Sequence, residues 1–160
     1  VLADKKALIT MMWNTLWLFL TIVETCGHSQ DMQGMKTGCI VAFVVMLGVW
    51  LVFFVARYAK TNAWIKAGCI VLICTLWTAF ANDICMFLIE GERRLTIRYA
   101  EFSNWSTDLR VNANVYTIVL IAGGAAAVFL MVIGLIRKNK KALPESKYQK
   151  GNIQNEKNME

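Results

Sequence analysis

Proline occurs once in the 160 residues, at Pro144, so no earlier block of the chain carries a built-in kink or break. Histidine also occurs once, at His28, and a single histidine does not make a metal site. The five cysteines, Cys26, Cys39, Cys69, Cys74 and Cys85, include no Cys-x-x-Cys pair, which argues against a thiol oxidoreductase. There is no Gly-rich phosphate loop and no workable serine–histidine–acid set. No catalytic residue, metal or cofactor is therefore expected. Charge is scarce too: 18% of residues are charged and 57% are hydrophobic. Soluble domains run nearer about 25% and about 45–50%.

The apolar excess is gathered into four long blocks, about 7–25, 38–56, 64–89 and 115–136, each of 19 residues or more. A helix rises about 1.5 Å per residue, so about 20 residues cross a hydrocarbon core of about 30 Å. Strands are shorter, and in lipid every backbone amide must be satisfied within the segment, which leaves the helix. Lys5 and Lys6 precede the first block, but no small-x-small cleavage site follows it, so it is expected to be a retained helix rather than a signal. Residues 1–137 thus predict an all-α, four-transmembrane-helix antiparallel bundle. Residues 138–160 are rich in Lys, Asn, Gln and Glu and predict a disordered basic tail.

Lys and Arg counts orient the bundle. With the N-terminus in the cytoplasm, the inner side holds Lys5, Lys6, Arg57, Lys60, Lys66 and seven residues from Arg137 to Lys157. The outer side holds only Lys36, Arg93, Arg94, Arg98 and Arg110. The positive-inside rule favours this arrangement, with both termini cytoplasmic and a larger second extracellular or lumenal loop at 90–114. The net charge of +6 flanks apolar spans rather than forming an aromatic-basic platform, so a nucleic-acid partner is not expected. The expected partners are the lipid bilayer and other integral membrane proteins or copies of itself.

Glu24 and Asp83 are the sharpest polar features. Each lies about 9–10 Å outward of its span's middle on a 1.5 Å rise. A charge near the bilayer centre costs at least about 2.5–3.5 kcal/mol and less towards the ends, so such residues face the bundle interior, a partner or water. One reading is a cation or proton site in the outer half, with Asn82 beside Asp83 sharing the load. The other places Glu24 at the interface and pairs Asp83 with Lys36 or an outer-loop arginine, pinning the helices. Asn14 is expected to hydrogen-bond between helices, and the small residues Gly123, Gly124 and Ala127 to let another helix approach closely. Asn104-Trp105-Ser106 is a glycosylation sequon in the loop placed outside, and its use implies the plasma membrane or another secretory-pathway membrane. Cys26 and Cys39 flank the first outer loop; a disulfide between them is open in an oxidising lumen, as are buried thiols.

Four spans, short loops and cytoplasmic termini resemble the tetraspan architecture of claudin-like and MARVEL-type proteins. The claudin first-loop pattern and the tetraspanin Cys-Cys-Gly motif are absent, so the resemblance transfers no functional residue. The function expected from these features is a non-enzymatic tetraspan acting as organiser, junctional component or accessory subunit of a larger membrane complex. The alternative is a small oligomeric ion or proton channel or transporter with Glu24 and Asp83 in the pathway.

Overall fold

In the computed structural model the described residues are 2–28 and 32–157, with side chains described for 5–28 and 32–139. Four α-helices account for most of them: α1 Leu2–His28, α2 Met32–Tyr58, α3 Ala63–Glu90 and α4 Asp108–Lys157. A short 3-10 helix, Thr96–Tyr99, lies between α3 and α4, and the described residues contain no strand. All four helices are long and apolar enough to cross a membrane, over 5–28, 32–58, 63–90 and 108–139. The chain is a multi-pass membrane protein by this measure.

Each helix is longer than the apolar block that announced it. Hydropathy marks the stretch that lipid can cover, whereas an established helix adds polar residues at little further cost once its nucleus exists. The largest difference is α4. Residues 138–157 continue it as a helix, where composition predicted a disordered tail. The stretch contains Pro144 and Gly151, the two weakest helix formers, but Lys, Glu, Gln and Ala around them are good ones and an apolar helix already stands before them. Residues 158–160 of that predicted tail lie outside the described residues.

Helix α1 packs on α2, α2 on α3 and α3 on α4, and the 3-10 helix rests on α4 and α3. Among the described residues no other pair of elements brings its backbones within 8 Å. The helices therefore stand in chain order, and α1 has a neighbour on one side only. Contact pairs set the register. Trp50 Nε1 donates to Thr15 Oγ1 at 3.1 Å between α1 and α2. Trp77 of α3 lies against Gly48 of α2, where a Cβ would come within 2.5 Å of the indole nitrogen. Lys66 Nζ reaches back 2.9 Å to the Ala56 carbonyl, placing a cation on the last turn of α2.

The tightest seam is between α3 and α4. Gly123 lies against Thr75, Gly68 against the Ala127 carbonyl and Met131, and Gly134 against Ile65. Asn62 begins α3 by accepting from the Trp64 amide, while its own side-chain amide donates 3.2 Å to the Gly134 carbonyl. The buried apolar side chains are Ala42, Val44, Ala79, Ala113 and Ala127, four of them alanine. This interior is filled by close backbone approach rather than by large side chains, as lipid-embedded helices require when water does not drive them together. The large apolar residues face outward instead, among them Phe43, Phe54, Ile121 and Phe129.

Candidate functional site

Helix α3 ends at Gly91, whose φ of +75° suits a residue without Cβ, and whose N–H bonds the Phe87 carbonyl. The chain then crosses the helix ends over 91–107 before entering α4. Two buried polar side chains hold this crossing. Asp83 of α3, 6% exposed, accepts the Thr96 amide at 3.0 Å on one oxygen and the Thr96 hydroxyl on the other. Thr96 opens the 3-10 helix, and Leu95 before it has no side chain that can cap. The carboxylate from α3 supplies that cap. Asn114 of α4, wholly buried, accepts the Glu101 amide at 2.7 Å and donates to the Glu101 and Asn104 carbonyls at 2.9 and 3.2 Å. Arg110 adds a 3.0 Å ion pair to Glu101.

Sequence reasoning therefore found Asp83 but not its partner. The carboxylate holds Thr96 rather than a lysine or arginine, and both of its oxygens are engaged. Asn114 was missed because it sits one residue before the apolar block of α4 and carries no charge. The signal was present: an amide opening a long apolar run must be satisfied by something nearby.

The other polar residues singled out from sequence are not gathered with Asp83. Asn82 is exposed on α3, turned away from the buried Asp83, and Glu24 is exposed on α1, whose backbone nowhere approaches α3 among the described residues. The structure thus does not build a shared acidic site from Glu24, Asn82 and Asp83. Adjacent helical residues point about 100° apart, so Asn82 and Asp83 cannot face one neighbour together. Asn14 does not bridge helices either: it is exposed and makes no hydrogen bond among the described residues, while Thr15 beside it takes the bond from Trp50. Gly123 and Ala127 face α3 as expected, but Gly124 faces open space. The five cysteines are thiols, Cys26 and Cys39 included. No three His, Cys, Asp or Glu side chains among the described residues stand close enough to hold a metal ion.

Asn104 folds over its own sequon: its Oδ1 accepts from the Ser106 amide at 3.0 Å and hydroxyl at 2.7 Å. The surrounding residues 101–109 are otherwise exposed.

Two surfaces remain with unassigned chemistry. One is a stripe along α1, Thr10, Asn14, Trp17, Thr21 and Glu24, all exposed and spaced alternately four and three residues apart. The α2-facing residues of the same helix, Met11, Thr15, Phe19, Ile22 and Cys26, are all half-buried. The other is an open cleft of about 630 Å³ beside Asp83, walled by Phe80, Ile84 and Phe87 and rimmed by Arg93, Arg94 and Arg98. No protein-family model, no curated protein and no solved structure matches this chain.

Proposed function

We propose that this chain is a non-enzymatic subunit of a larger membrane assembly and that α1 is the helix by which it joins. The observation that carries this reading is Asn14. It lies near the middle of the span 5–28, exposed, with no hydrogen bond among the described residues. An amide facing hydrocarbon is costly until another helix satisfies it. It is flanked at heptad spacing by Thr10, Trp17, Thr21 and Glu24, the repeat by which one helix follows another. Among the described residues the remaining sides of α1 have no neighbour to compete for it.

The topology proposed with it is antiparallel, with both termini cytoplasmic and 91–107 outside. Contact pairs run in opposite order along neighbouring helices: Thr15 with Trp50 and Ile22 with Gly38 between α1 and α2, and Gly68 with Ala127 and Thr75 with Gly123 between α3 and α4. The distribution of Lys and Arg supports the orientation. The alternative places Glu24 and Asp83 in the pathway of an oligomeric channel; within one chain α1 and α3 do not meet among the described residues, so such a path would draw the two acids from different copies.

Two measurements test this. The purified full chain in liposomes is expected to pass no ions or protons; a flux abolished by Glu24→Gln or Asp83→Asn overturns the subunit reading. Native purification is expected to bring down a membrane partner or a second copy, and Asn14→Leu with Glu24→Gln to release it. Release by substitutions on the α2-facing side alone, with the stripe variant still bound, overturns the role of α1.

A further inference from the structure

The cleft beside Asp83 has the two halves of an amphiphile site. Its wall comes from one face of α3. Phe80, Ile84 and Phe87 follow at spacings of four and three, and exposed Leu76 continues the line towards the middle of the helix. From Leu76 to Phe87 the wall runs about 16 Å on a 1.5 Å rise, and it is apolar throughout. Its rim is cationic. Arg94 is taken up by Glu92 at 2.6 Å. Arg93 stands 5.8 Å from the Phe87 ring centre, over the wall itself. Arg98, also on the rim, takes no part in the ion pairs of this segment, Arg94–Glu92 and Arg110–Glu101.

Asp83, the acid in the lining, has one oxygen on the Thr96 amide and the other on the Thr96 hydroxyl, and makes no ion pair with the rim arginines among the described residues. Three guanidinium groups thus stand against the Asp83 and Glu92 carboxylates, and Arg93 and Arg98 face the apolar wall with no ion pair among the described residues. A planar guanidinium is suited to forked hydrogen bonds with phosphate, and its charge is more strongly felt where lipid excludes water. The span of α3 ends at Glu90, so the arginines lie just beyond the helix end, at headgroup depth, while the wall lies within the span.

We propose that this cleft binds one acidic phospholipid, its phosphate held by Arg93 and Arg98 and one acyl chain laid along Phe87, Ile84, Phe80 and Leu76. The binding orders a lipid against the Asp83–Thr96 contact, at the junction of α3 and the crossing segment.

The test uses the full chain in nanodiscs of phosphatidylcholine with a minor share of phosphatidylglycerol, followed by native mass spectrometry of retained lipid. Phosphatidylglycerol is expected to be enriched about tenfold over its share of the bilayer, the factor that corresponds to about 1.4 kcal/mol. Arg93→Gln with Arg98→Gln is expected to return retention to the bulk proportion, with helical circular dichroism unchanged. Ile84→Trp, which fills the wall and keeps every arginine, is expected to do the same. Lys60→Gln with Lys138→Gln, at the other end of the helices, is expected to change nothing. Enrichment that survives both the arginine and the Ile84 variants overturns the proposal. So does retention of phosphatidylcholine in proportion, or of added oleate in preference to the phospholipid. Loss of enrichment in the Lys60 and Lys138 variant alone moves the site elsewhere and overturns it equally.

Discussion

Gly68 and Gly124 lie on neighbouring helices of the same seam but meet opposite surroundings. A Cβ on Gly68 would come within 2.9 Å of the Ala127 carbonyl, a backbone atom that cannot swing aside, and 2.7 Å of Met131. A Cβ on Gly124 would meet nothing within 4 Å. Alanine favours a helix over glycine by about 0.5–1 kcal/mol, and overpacking a tight contact costs about 1–3 kcal/mol. Gly68→Ala is therefore expected to destabilise the fold, and Gly124→Ala to be neutral or to stabilise it by up to about 1 kcal/mol. Unfolding in mixed micelles reads both; an equal loss in the two variants contradicts the seam. Sequence alone named Gly123, Gly124 and Ala127 as a packing patch, and one of the three faces away. Small size was legible, but direction was not.

At the scale of elements, the crossing segment 91–107 is attached from both helices it joins. Asp83 caps the 3-10 helix from α3, and Asn114 holds Glu101 and Asn104 from α4. Each attachment serves a different stretch, so each can be lost separately. Asp83→Ala leaves the Thr96 amide without its charged acceptor, at a cost of about 1.5–3 kcal/mol. Amide exchange is expected to quicken over 95–99. Asn114→Ala strips three backbone groups of their partner and is expected to quicken exchange over 101–104 instead. Uniform acceleration of both stretches in either variant argues against two independent clamps. The acid was visible in the sequence as an anomaly inside an apolar run. Its partner was not, because Thr96 is an ordinary residue 13 positions away that only the fold of the crossing brings near.

For the whole molecule, sidedness joins the pieces. Asn104 and the basic end of α4 are separated by the length of a span, since the membrane-crossing part of α4 runs over 108–139. The lysine-rich end is expected to be digested by protease added to the cytosolic side of sealed vesicles. A glycan at Asn104, removed by Asn104→Gln, is expected to survive the same treatment. Glycosidase access to Asn104 from the side on which the basic end is cleaved contradicts the proposed topology. The end of α4 beside Trp64 is marked from within as well, with the Arg137 guanidinium 4.7 Å from the Trp64 ring centre. A basic group stacked on a tryptophan belongs at a membrane interface, where one face is apolar and the other wet.

Length and sustained hydropathy were sufficient, by themselves, to determine that four helices form, roughly where each lies, and that each is long and apolar enough to cross a bilayer. Those properties depend on local backbone satisfaction and on the thickness of a bilayer, neither of which requires knowledge of neighbours. The direction of each side chain was another matter. A helix that is apolar on every side carries no stripe to announce its buried face. Only the tertiary structure decided that Asp83 turns inward while Asn82 turns out, that Thr15 rather than Asn14 bonds α2, and that α1 stands at the open edge with its polar stripe uncovered.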